Sequence, residues 1–130
     1  MISEGDAAMY KGGFMQGFEV KNSEKEDISV LGLKGYLDAH TVPDLENAFQ
    51  NLVDNNKYKI VVNFEKLSYI SSAGLGVFMG FIEDIRQKGG DIKLTNMQPK
   101  IFRVFDLLGF PTLYDILEEE KMAVEMFTSA

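Results

Sequence analysis

The sequence contains no cysteine, so disulfides and thiolate metal sites are excluded. Its single histidine is His40. A lone histidine in a loop reads as a surface residue, and no group of His, Asp and Glu has metal-ligand spacing. No apolar run approaches membrane-spanning length. Residues 1–6 lack the basic start and apolar stretch of a signal peptide, so a cytoplasmic location is expected. Basic residues are scarce, 13 against 20 acidic, for a formal net charge of −7. Without a basic cluster or stripe, direct nucleic-acid binding is not expected, and neither is a membrane partner. A basic protein partner is favoured by the long-range field. The phosphate-cradling Gly-x-x-x-x-Gly-Lys-Ser/Thr loop is missing too, as is the Gly-x-Ser-x-Gly of serine hydrolases.

What is present fits one domain. The chain has 130 residues with 45% hydrophobic content, enough for a single core. Residues 1–17 are rich in Gly and Met without periodicity and read as a flexible extension, although 14–20 could join the first strand. Residues 18–130 are the domain. Phe18–Lys21 reads as a strand, Asn22–Asp27 as a polar turn, and Ile28–Leu37 as a second strand completing a hairpin. Thr41-Val42-Pro43-Asp44 has the form of a capping box opening a helix to about Val53. Asp91–Thr95 alternates like a half-exposed strand. Gln98–Leu108 is an amphipathic helix with Ile101, Val104, Phe105 and Leu108 inward. Leu113–Ile116 reads as a short edge strand. Glu118–Phe127 is a final helix with three acids in its first turn. Strands alternating with helices imply an α/β fold with a largely parallel sheet.

The chain is organised around Ile60–Lys88. Ile60–Phe64 is an apolar, β-branched run that reads as a strand buried on both faces. Leu75, Phe78, Ile82 and Ile85 then fall on one helical face, with Phe81 at its edge, and Gly89-Gly90 ends the helix. Ser71-Ser72 stands where that helix begins, a place suited to a capping hydroxyl and tolerant of an anion. Ala73, Gly76 and Gly80 form a small-residue stripe on the opposite, outward face. Glycine in a helix costs up to ~1 kcal/mol relative to alanine, so the stripe needs a reason. Close approach by another backbone is one; packing against a loop of the same domain is the other.

The chemistry of these residues is limited. Ser72 as a nucleophile would have only His40 as a base. Gly74–Gly80 superficially matches a dinucleotide fingerprint, but its third glycine comes one residue late and inside the helix. One of the two serines is expected to cap, leaving the other free for phosphorylation. Asp38 either hydrogen-bonds the loop before Thr41 or lies near Ser72, because loops after parallel strands gather at one end of the sheet.

Three segments carry a family resemblance: Gly35-Tyr36-Leu37-Asp38-Ala39-His40-Thr41, the Asn63–Val77 stretch with Ser71-Ser72-Ala73-Gly74-Leu75-Gly76, and Phe105-Asp106-Leu107-Leu108-Gly109-Phe110. Together they resemble the bacterial anti-sigma factor antagonists of the single STAS-domain type. The resemblance implies a mixed, largely parallel sheet with an N-terminal hairpin, covered by about four helices. It aligns Ser72 with the family's phosphorylated serine, with Ser71 as the alternative. Ser71 stands where many members have Asp, and Ala73 where many have Ser or Thr. It implies partner binding by Asp38, Thr41, Ser71, Ser72, Ala73, Gly74, Gly76, Val77 and Gly80. The implied partners are an anti-sigma factor that is itself a serine kinase, and a serine phosphatase. No catalysis and no resident cofactor are expected. A constitutive STAS scaffold or sensor, and weak ATP or GTP binding, are the alternative readings.

Overall fold

The computed structural model describes residues 8–12 and 17–129. Its sheet has six strands in chain order: β1 (Ala8–Gly12), β2 (Phe18–Lys25), β3 (Ile28–Leu37), β4 (Lys59–Ile70), β5 (Asp91–Thr95) and β6 (Ile116–Leu117). β1–β2 and β2–β3 pair antiparallel; β3–β4, β4–β5 and β5–β6 pair parallel. The helices are α1 (Val42–Asp54), α2 (Ser72–Gln87), α3 (Pro99–Leu107) and α4 (Glu120–Thr128). Strands laid down in sequence order with right-handed crossovers put successive crossover helices on one face. Accordingly α1, α2 and α3 share the main core with Phe18, Leu33, Ile60, Val62, Phe64 and Leu94. Five phenylalanines knit that core: Phe78 contacts Phe49, Phe64 and Phe105, and Phe105 contacts Phe110. α4 lies on the other face, where Ala123, Val124 and Phe127 meet Ile28, Val30 and Val61.

This arrangement explains both the agreements and the differences with the sequence reading. Ile60, Val61 and Val62 are fully buried, as expected for a strand covered on both faces. β5 was expected to be half exposed, yet Ile92, Lys93, Leu94 and Thr95 are all buried, because α4 covers its second face. Lys93 is buried there because Asp91 (3.0 Å) and Asp115 (2.7 Å) hold its ammonium and Phe127 lies against it. β2 runs on to Lys25 rather than ending at Lys21. Only Glu26 and Asp27 turn, with Glu26 in the left-handed region at φ 60°. β4 continues to Ile70, well past Phe64. Its inward residues Phe64, Leu67 and Ile70 are spaced by three, because two register irregularities against β3 break the alternation. β1 lies within the stretch read as an extension; residues 1–7 and 13–16, including part of 14–20, fall outside the described residues. Leu108, expected inward, is 60% exposed just beyond the end of α3. The expected edge strand 113–116 is instead Ile116–Leu117, and Glu118 and Glu119 precede α4, leaving Glu120 in its first turn.

Candidate functional site

The site is built where β3 and β4 end side by side. Leu37 and Ile70 are register partners, and the next amide, Ser71 N–H, donates to the Leu37 carbonyl at 2.9 Å. The β3–α1 loop and the β4–α2 turn are therefore joined. Ser71 has extended backbone (ψ 172°), and its hydroxyl accepts from Gly74 N–H at 3.3 Å, so it is the N-cap of α2. Ser72 is the first residue of α2, and it is exposed. The two serines thus divide the work: one holds the helix end, and the other presents a hydroxyl beside free helix amides.

Asp38 hydrogen-bonds its own loop, the first of the two roles considered for it. Its carboxylate accepts from the amides of His40 (2.9 Å) and Thr41 (3.3 Å), and it lies in the loop tied to Ser71. Thr41 differs from expectation. It is fully buried and makes no side-chain cap of α1; its hydroxyl donates to the Tyr36 carbonyl (2.9 Å) and accepts from Asp38 N–H (2.9 Å). It shapes the loop from inside rather than offering a contact surface. Gly74 and Val77, expected as partner contacts, are buried in the domain's own packing. A Cβ at Gly74 would lie 2.8 Å from Leu37 and 3.0 Å from Ile70, so glycine lets α2 start hard against the strands.

Ser72, Ala73, Gly76 and Gly80 remain on the surface. At Gly76 and Gly80 an added Cβ would meet nothing within 4 Å. Packing against a loop of the same domain is therefore ruled out for these two positions among the described residues. Met79 joins them; sequence reading missed it, although it lies two turns from Ser72 on the same side. It is 52% exposed. The edge of α2 beyond it is fixed by Arg86, which donates to Asp91 (2.8 Å) and to the Leu113 carbonyl (2.6 Å). Tyr114 donates to the Phe78 carbonyl at 2.6 Å; burial raises its phenol well above the usual tyrosine range. His40 is exposed, as expected. Among the described residues, no group of three or more His, Asp or Glu side chains could hold a metal. No helix there is long and apolar enough to cross a membrane.

The class defined here is an α/β domain with a capped strand–helix turn and an open, glycine-lined helix face. The STAS domain family model matches residues 19–123, and the chain belongs to that family. It is 30% identical over 107 residues to the anti-sigma-B factor antagonist of Bacillus subtilis, covering 82% of this chain and 95% of that one. It is 32% identical over 99 residues to the anti-sigma-B factor antagonist of Staphylococcus aureus, covering 76% and 92%. A crystal structure of an anti-sigma factor antagonist from Mycobacterium paratuberculosis has the same fold, with a TM-score of 0.78 at 19% identity over 84% of this chain and 92% of that one.

Proposed function

We propose that this chain is an anti-sigma factor antagonist. In its unmodified form it binds an anti-sigma factor that is a serine kinase, and so releases a sigma factor. That kinase transfers the γ-phosphoryl group of ATP to the Ser72 hydroxyl: the Oγ–P bond forms, ADP leaves and the hydroxyl proton is lost. A serine phosphatase reverses the change by hydrolysis. The chain itself catalyses nothing in this scheme and works in the cytoplasm.

The observation that carries this reading is the pairing of a free Ser72 hydroxyl with an open glycine face on the same helix. Ser71 is committed to capping, which favours Ser72 as acceptor. Phosphate adds about −1.5 to −2 charges. The α2 N-terminus offsets part of this, by ~0.3–1 kcal/mol at an exposed end, so the modified domain stays folded. A backbone lying close over Gly76 leaves no room for the added group. Binding therefore suffers far more than folding.

The test is titration calorimetry against each serine-kinase anti-sigma factor of the same genome, with Gly76→Glu beside the unmodified chain. The expected result is binding by the unmodified chain and none by Gly76→Glu, at nearly equal melting temperatures. Equal loss of both binding and stability in Gly76→Glu refutes the assignment of this face.

A further inference from the structure

Lysine and arginine are absent from residues 35–56 and 67–85. These stretches supply all of α1, all of α2 up to Ile85, and the two loops of the site. The same stretches carry Asp38, Asp44, Glu46, Asp54, Glu83 and Asp84. The first cation on α2, Arg86, is engaged by Asp91 and the Leu113 carbonyl. Lys88, at the C-cap of α2, pairs with Asp84 (3.5 Å), and Lys100 and Arg103 are exposed on α3; other basic side chains lie further off. Lys21, Lys34 and Lys66 line a groove on the α4 face of the sheet, Lys25 and Lys93 are ion-paired, and Lys121 is on α4.

The two cation-free helices form one surface. Phe49 of α1 stacks on Phe81 of α2 with ring centroids 5.1 Å apart. Glu46 is one turn before Phe49 and so lies on the edge of α1 nearest α2; Asp84 is one turn after Phe81 on α2. Glu46, Gly76, Met79, Gly80, Glu83 and Asp84 are all exposed. Among the described residues Glu46 and Glu83 have no ion-pair partner within 4.0 Å, whereas Asp84 pairs with Lys88 (3.5 Å); Gly76 and Gly80 are on the exposed face of α2 and Met79 on the side turned from Phe81.

We infer that the partner covers α1 as well as α2 and meets them with a basic face: lysines and arginines around an apolar recess that takes Met79. This rests on the antagonist reading above. An apolar centre within a charged rim is the usual form of a transient protein interface, and complementary charge speeds its formation. Anionic lipid and nucleic acid are repelled by the same surface. The phosphate then acts at short range. On an acidic surface it does nothing to deter a basic partner at a distance, so it acts on dissociation by blocking contact over Gly76.

The test measures association kinetics with each purified serine-kinase anti-sigma factor of the same genome as the probe. Glu46→Lys is compared with Glu125→Lys, which makes the same charge change at an exposed site on α4. Glu46→Lys is expected to slow association by about threefold or more at low salt and to flatten its salt dependence, with Glu125→Lys changing it by less than about twofold. Melting curves check that both variants are folded. Equal slowing by both variants, or none by Glu46→Lys, overturns the basic-face inference and leaves the antagonist reading standing. Absence of binding by the unmodified chain overturns both.

Discussion

Gly76→Ala and Gly80→Ala should make this protein more stable and a worse binder. Both positions lie inside α2, neither has a positive φ, and an added Cβ at either would meet nothing within 4 Å. Replacing an unstrained helical glycine by alanine is worth about 0.8–1 kcal/mol, so the pair should add about 2 kcal/mol. Unfolding entropy near 2.1 cal/mol/K per residue gives about 0.27 kcal/mol/K for 130 residues. The double variant should therefore melt about 7 °C higher. Calorimetric unfolding measures this, and titration against the partner kinase measures the expected loss of affinity. Gly74→Ala is the internal control. Its Cβ would press on Leu37 and Ile70 at 2.8 and 3.0 Å, so it should lose about 1–3 kcal/mol. A fall in stability in the double variant refutes the claim that these glycines are unused by the fold. A rise in stability with unchanged affinity refutes the claim that a partner uses them.

Ser71→Ala should cost about 1 kcal/mol through loss of the α2 cap, whereas Ser72→Ala should leave urea unfolding unchanged. Thr41→Val should cost about 1–3 kcal/mol, because it removes the buried hydroxyl that pairs the Tyr36 carbonyl and the Asp38 amide. The alkaline limb of the stability curve has a definite sign. Burial alone would lower Lys93, yet hydrogen bonds to Asp115 and Asp91 raise it overall, and burial raises Tyr114. Groups raised on folding contribute stability that is full below their unfolded values and is lost as pH climbs above about 10. Tyr114→Phe should flatten that decline in denaturant melts taken across alkaline pH. Glu120 gives the acid limb. Burial opposes its ionisation, but Lys25 and Asn63 hold it below the usual range, so its contribution fades as pH falls below about 4.

Much of the fold was legible because periodicity carried it. Leu75, Phe78, Ile82 and Ile85 marked the inner face of α2, and Ile60–Val62 marked a strand covered on both sides. The misses were tertiary. Only a helix arriving from the far end of the chain buries Lys93 and Thr95, and nothing local to Asp91–Thr95 announces α4. The second half of β4 escaped notice because its irregular pairing spaces Phe64, Leu67 and Ile70 as no simple strand would. At the site, Ser71-Ser72 was readable as a cap beside a free hydroxyl, but which serine does which depends on the extended backbone at Ser71. Thr41 looked like a cap from its place before Pro43; its buried hydroxyl turns back to the Tyr36 carbonyl instead. Gly74, Gly76 and Gly80 are indistinguishable in sequence, and only the surrounding space separates the packed one from the open two.

The proposed switch is Ser72. Its most direct test is to incubate the chain with ATP and the serine-kinase anti-sigma factors of its genome, and to map the phosphate by mass spectrometry. One phosphate per chain is expected on Ser72, absent in Ser72→Ala and accompanied by release of the kinase. Phosphate on Ser71, or a kinase that binds tightly and transfers none, would contradict it.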